Sequence, residues 1–161
     1  MKHENVKIQA GNKKAFHDFF ILDKLEAGIE LQGWEVKSVR AGTINLVESF
    51  VYFQVNKDTG SVQAFLKNAH FSRYNFGVVF SQEPRRDRRL LLHRTQIIKF
   101  HQAVAAKGLT CVATKIYLLR GKVKVELAIA RGKHNYDKKK VLKERDIQRE
   151  AERSLRNSLP S

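Results

Sequence analysis

Apolar and polar positions along this chain change period several times, and each change marks an element. Residues 1 to about 14 are polar and predict a loose N-terminus. From Ala15 the pattern turns strand-like, with Phe16, Phe19, Phe20 and Ile21 forming an aromatic, β-favouring cluster that ends near Asp23. Gly28 and Gly33 then punctuate the chain as far as Val39. Residues 33–40 fit a strand by propensity or a short helix closed by Gly42, and the helix is the favoured of the two. Segments 50–55 and 61–66 flank a Gly-containing stretch at 56–60, which predicts a hairpin with a five-residue turn. Residues 68–82 mix aromatics with Arg73, Asn75 and Gly77 and predict a long surface loop. Pro84 precedes a basic and leucine-rich run at 85–93. Helical spacing continues through 95–106, with Ile97, Ile98, His101, Val104 and Ala105 on one face and Gly108 as the stop. A second hairpin runs from 109–119 through Arg120 and Gly121 into 122–130, where the alternation is clean.

Short antiparallel strands, irregular connections and inserted helices suit a small closed barrel of the OB type better than a parallel α/β sheet. The expected fold is therefore mainly β with peripheral helices, an OB-like barrel over residues 1–131. A basic C-terminal tail, 132–161, is a separate object. Its large apolar residues are too sparse for a core, yet 141–157 lacks both Gly and Pro and pairs Asp146 with Arg149, Glu150 with Arg153 and Glu152 with Arg156 at helical spacing. Wound as a helix, it lines up Ile147, Ala151 and Leu155 in a narrow stripe, with Arg145, Arg149, Arg153 and Arg156 on roughly the opposite face. Isolated helices of this length are marginal in water, so the tail is expected to be disordered when free and helical along phosphates.

Charge narrows the class of partner. A formal net charge of +15 over 161 residues points to a polyanion, nucleic acid ahead of an anionic membrane surface. No apolar run approaches the ~18 residues that span a bilayer, and the N-terminus lacks the apolar stretch of a secretory signal. A single cysteine, Cys111, excludes an intrachain disulfide framework and a multi-Cys zinc site, and its apolar surroundings predict a buried structural thiol. The chain is expected to be cytoplasmic. The six histidines show no metal-ligand spacing and no accompanying carboxylate dyad, so no catalytic residue, metal or cofactor is expected. Arg85, Arg86, Arg88 and Arg89 suit phosphate contact, against a solvated face with Asp87 as internal counter-ion. Among Leu90, Leu91 and Leu92 there is more apolar surface than one helix face buries, so either all are core or one faces a partner. Tyr136 lies among charges beyond the last strand and suits base stacking. These features fit an RNA-binding adaptor first, a structural ribosomal protein or assembly factor second, and a small nuclease third.

Several blocks then stand together in order: Asn12-Lys-Lys-Ala15, Leu25-Glu-Ala-Gly-Ile29, Leu31-Gln-Gly-Trp-Glu-Val-Lys-Ser38, Leu90-Leu-Leu-His93, Ala130-Arg-Gly-Lys133, Tyr136-Asp-Lys138 and Lys143-Glu-Arg145. They resemble the SsrA-binding protein family, small protein B, from about residue 7 to 156. The resemblance implies an OB-like barrel that binds the tRNA-like domain of transfer-messenger RNA (tmRNA) in bacterial trans-translation. It implies delivery of tmRNA to stalled ribosomes, with elongation factor Tu engaged indirectly through the charged tmRNA, and a tail that folds in the empty mRNA channel beside the small-subunit decoding centre. A monomer without cofactor is expected. The RNA-binding positions it implies are Asn12, Lys13, Glu26, Leu91 and Lys124, to which the retained Arg86 and Arg88 are added. In the tail it implies ribosome contacts at Gly132, Lys133, Tyr136, Asp137, Lys138 and Lys139, and the arginine face adds Arg145, Arg149 and Arg153. Lys139 stands where the family usually has Arg, and Arg85 and Asp87 replace threonines.

Overall fold

The computed structural model describes residues 6–73 and 82–133, together with Arg149 and Arg153. In chain order the elements are β1 (Val6–Gly11), α1 (Lys13–Asp18), β2 (Phe19–Ile29), α2 (Gly33–Ala41), β3 (Ile44–Asn45), β4 (Phe50–Val55), β5 (Val62–Lys67), β6 (His70–Phe71), β7 (Arg88–Leu91), α3 (Arg94–Lys107), β8 (Thr110–Leu119) and β9 (Lys122–Gly132). The chain divides into two compact units, Met1–Arg131 and Gly132–Ser161.

Both hairpins form where alternation and turn residues predict them. β4 pairs with β5 from Phe50↔Lys67 to Val55↔Val62, and β8 pairs with β9 from Thr110↔Ala130 to Leu119↔Lys122. Arg120 and Gly121 both have positive φ, 52° and 77°, as a two-residue hairpin turn with the twist of its strands requires. The first unit is a closed antiparallel barrel: in the sheet order β1-β8-β4-β5-β7-β2-β9 the last strand, β9, pairs back onto β8, and β1 adds to β8 beside β4. β8 makes closure possible. It holds β9 along one edge and takes both β4, at Val51↔Cys111, and β1, from Gly11↔Lys115 onwards. A register shift between Ala113 and Lys115 bends it between those partners. The core inside includes Val39, Leu66, Phe71, Leu90, Phe100, Ile116 and Leu127, all essentially out of solvent. Each such side chain contributes about 1.5–3 kcal/mol on burial. Cys111 lies among them, and burial pushes its thiol up to about 12, so it is an inert neutral packing group.

α2 is the helix that Gly42 predicts. Glu35 caps it by accepting from the Gln32 amide at 2.7 Å, and Gly42 closes it in the left-handed region with φ 72°. Five expectations are corrected. Residues 6–11 form strand β1 rather than a loose end. Its side chains are mostly exposed and only its backbone is engaged by β8, so hydropathy does not reveal it. Phe16 belongs to α1 rather than to a strand and is 45% exposed. The loop after Lys67 contains β6, whose Phe71 is fully buried and paired with Ile44 of β3. The basic and leucine-rich run at 85–93, expected to lead into a helix, carries strand β7, which fills the gap between β5 and β2. Arg88 and Leu90 point inward and Arg89 and Leu91 outward. α3, Arg94–Lys107, forms where the spacing over 95–106 predicts it; among its described residues Phe100 is buried, backed by Ala103 and Val104, while Ala105, expected on the apolar face, is exposed.

Arg88 and Glu35 are both fully buried and paired with each other. Arg88 also donates to the carbonyls of Ala69 (3.0 Å), Arg86 (2.9 Å) and Pro84 (3.0 Å), and its guanidinium lies 3.8 Å from the Phe71 ring centroid. Burial pulls the Arg88 guanidinium below its ordinary pKa, and the Glu35 carboxylate opposes that pull. In the second unit Arg149 and Arg153 have helical backbone and are exposed. Tyr136, Asp137, Lys138, Lys139 and Arg145 lie outside the described residues, as does the expectation of a tail disordered when free.

Removing one member of the buried pair leaves the other charge without compensation. Glu35→Ala is expected to lose about 3–5 kcal/mol of unfolding free energy in urea, whereas replacing Glu35 and Arg88 together by methionine is expected to lose less than Glu35→Ala alone. Equal losses in the two variants would reduce the pair to ordinary packing.

Candidate nucleic-acid interface

Three strands and a helix start meet at an open groove of about 520 Å³ on the barrel surface. β2 supplies Glu26 and Gly28, β7 supplies Leu91, and β9 supplies Lys124. His93 and Gln96, at the entry to α3, complete the rim with Leu92. The backbone register explains the assembly. Gly28 pairs with Leu91, so the exposed apolar side chain lies directly over the glycine. A Cβ on Gly28 would sit 3.2 Å from Leu91 Cβ, which is tighter than ordinary contact. Leu91 is 47% exposed while Leu90 is 2%, so strand alternation settles which leucine of the run faces outward.

Glu26 is exposed, but its carboxylate is held. The buried Tyr117 hydroxyl of β8 donates to Glu26 Oε2. Lys124 stands opposite Tyr117 in the β8–β9 ladder, which brings a cation beside that carboxylate's support. The Gln96 side chain accepts from the His93 amide at 3.2 Å and so anchors the helix start. The groove offers an ammonium to a phosphate, a leucine to the apolar face of a base or ribose, and a carboxylate to base amino groups or a 2′-hydroxyl. Among the described residues no cluster of His, Cys, Asp and Glu could hold a metal ion, and no helix is long and apolar enough to cross a membrane.

The fold brings Glu26, Leu91 and Lys124 to one groove, and it places other expected RNA contacts elsewhere. Asn12 is 3% exposed. Its amide donates to the carbonyls of Leu46 (3.1 Å) and Ala113 (2.9 Å), and its oxygen caps α1 by accepting from Ala15 N at 3.2 Å. Its side chain thus brackets α1 to the barrel, away from the groove. Lys13 beside Asn12 is exposed. The whole Arg88 side chain is buried against Glu35 and does not reach the groove. Arg86 is intermediate: its side chain is 32% exposed, with Nη2 2.5 Å from Glu35 Oε1. The exposed arginines of that run are Arg85, which donates to Asn68 Oδ1 at 2.8 Å, and Arg89, which lies 3.8 Å from Glu30. Gly132 and Lys133 are described at the end of the last strand. His93, Gln96 and Tyr117 were not expected at the site. The Leu-Leu-Leu-His block pointed near the first two, but a strand ending at Leu91 is needed to turn them towards Glu26.

The fold and groove together define a small basic barrel of nucleic-acid-binding type. The model of the SmpB protein family matches residues 9–157, and the chain belongs to that family. It is 46% identical over 158 residues to the SsrA-binding protein of Caldicellulosiruptor saccharolyticus, covering 98% of this chain and 96% of that one. It is 48% identical over 153 residues to the SsrA-binding protein of Caldanaerobacter subterraneus subsp. tengcongensis, covering 95% and 93%. A solved structure described as "tmRNA-SmpB: a journey to the center of the bacterial ribosome" superposes with a TM-score of 0.64 at 40% identity, over 83% of this chain and 93% of that one.

The close approach of Gly28 and Leu91 is directly testable. Gly28→Ala is expected to displace Leu91 by a few tenths of an ångström and to weaken RNA binding severalfold with little change in thermal midpoint. Unchanged affinity, measured by filter binding or fluorescence anisotropy, would show that the groove tolerates that displacement.

Proposed function

We propose that this chain is the tmRNA-binding adaptor of trans-translation in its cell. It binds the tRNA-like domain of tmRNA and helps deliver it to stalled ribosomes, where the nascent peptide is tagged. The observation that carries this reading is a match to SsrA-binding proteins over nearly the whole chain, on a barrel whose groove assembles Glu26, Leu91 and Lys124. The protein acts without chemistry of its own, as a monomer in the cytoplasm, and meets elongation factor Tu only through the charged tmRNA.

In this reading the groove and the tail divide the work. Lys124 and Lys13 neutralise phosphates of the tRNA-like domain, with Arg86 as a secondary contact through its exposed part. Leu91 packs against an unstacked base or ribose, and Glu26 accepts from a base edge. Gly132, Lys133, Tyr136, Asp137, Lys138 and Lys139 contact the small subunit near the decoding centre. Beyond them Arg145, Arg149 and Arg153 lie along rRNA phosphates in the mRNA channel.

Glu26→Gln and Leu91→Asp test the groove. The amide oxygen of Gln still accepts from Tyr117, and Leu91 is already half exposed, so neither change should unfold the barrel. Each is expected to weaken tmRNA binding about tenfold, equivalent to about 1.4 kcal/mol, with thermal midpoints near the parent's. Parent-like affinity in both variants would remove the groove from the interface.

The tail is tested separately. Ile147→Pro costs about 3 kcal/mol of helix stability. It is expected to abolish peptide tagging on stalled ribosomes while leaving tmRNA affinity intact. Normal tagging would make the tail an electrostatic tether rather than an induced helix.

A further inference from the structure

The bond between Tyr117 and Glu26 joins a fixed group to a free one. Tyr117 is 6% exposed, on β8, and stands between Ile8 of β1 and Lys124 of β9 in the sheet. The Lys115 ammonium lies 5.6 Å from its ring centroid. Packing on these sides leaves the ring little rotamer freedom, and the hydroxyl reaches past β9 to the carboxylate on β2. Glu26, by contrast, is exposed, and an exposed glutamate samples many rotamers unless something holds it. A buried tyrosine hydroxyl needs some partner, and a backbone carbonyl or a water would serve. Here the acceptor is the one carboxylate that lines the groove among the described residues.

We infer that Tyr117 is a positioning residue for RNA recognition. By holding Oε2 it fixes the rotamer of Glu26 and leaves Oε1 as the acceptor presented to RNA. This rests on the proposal that the groove contacts tmRNA. A carboxylate repels phosphate, so the group it selects carries an N–H or O–H donor: the amino or imino edge of an unpaired base, or a 2′-hydroxyl. Lys124, on the neighbouring strand, takes the phosphate of the same nucleotide or the next. Held in advance, the glutamate orders less on binding, and that preorganisation appears as affinity.

A double-mutant cycle tests this, with the tRNA-like domain of tmRNA as probe and the full-length chain carrying Tyr117→Phe, Glu26→Ala or both. Affinities are measured at a temperature well below every variant's thermal midpoint, so that folding losses do not enter. Tyr117→Phe keeps the ring and removes only the hydroxyl. It is expected to weaken binding about five- to tenfold in the parent and less than twofold in the Glu26→Ala background, because the group it positions is then gone. A merely structural tyrosine would lower affinity equally in both backgrounds, and that result would overturn the inference. So would parent-like affinity of Tyr117→Phe when Glu26→Ala alone binds weakly. If Glu26→Ala itself binds as the parent does, the groove proposal fails, and the assignment of Tyr117 fails with it.

Discussion

A guanidinium and a carboxylate, both removed from solvent, decide how the strand that carries the groove sits in the barrel. β7 has four residues, too few to lock a register by hydrophobic alternation alone. Sliding it by one would turn Arg88 outward and bury Leu91. Taking an ion out of water costs several kcal/mol even after relaxation, and only a well-satisfied partner offsets it. Glu35 is such a partner, because its two oxygens accept from the Gln32 amide, Arg86 and Arg88. Arg88 adds three carbonyls and the face of Phe71. The arrangement is specific to one register, so the pair acts chiefly by excluding the others.

Register then propagates to the surface. With Arg88 and Leu90 inward, Leu91 must face out, and its ladder partner is Gly28. A glycine is the residue that lets an exposed leucine lie flat against the neighbouring strand, as the 3.2 Å approach of a hypothetical Cβ makes plain. Two residues before Gly28, on the same face of β2, stands Glu26, and strand periodicity is enough to bring it to the groove. The site therefore rests on strands at both sides, with a helix start closing one end. Its geometry inherits the stiffness of the barrel rather than the mobility of a loop.

What could be read from the chain follows from which signals local pattern carries. Hairpins and α2 were legible because alternation and the glycine at each turn or cap agree. β1 was not, since an edge strand with exposed side chains differs from a loop only in its backbone bonds. β7 was not, since Arg-Arg-Leu-Leu fits a helix as well as a strand until its partners are known. The resemblance named Asn12 as an RNA contact, and the basic run at 85–89 suggested Arg88; in the fold, bonds within the barrel engage both side chains. Residue type says that a group can bind a phosphate or a base, but not whether carbonyls and a carboxylate inside the fold already occupy it. Glu26, Leu91 and Lys124 are far apart in sequence, and only the resemblance named them together. Pattern alone offered no route from β2 to β9.

Net charge and the groove act at different ranges. Residues 1–131 carry a formal +11 and residues 132–161 a formal +4. On the barrel, several of those cations already face carboxylates: Arg86 and Arg88 share Glu35, Lys14 meets Glu48, and Lys24 and Lys115 flank Glu126. These pairs cancel little of the long-range field, because the excess of basic residues remains, and at physiological salt that field reaches about 8 Å. It brings any polyanion to the surface and raises the encounter rate without choosing among RNAs. Choice requires groups that distinguish a base edge from a phosphate. A carboxylate does so by repulsion, since an RNA that offers it only phosphates is rejected, whereas one that offers a donor is held. A negative side chain lining a basic protein's groove therefore fits an RNA-binding role, because it turns an attraction to every RNA into a preference for those that offer it a donor.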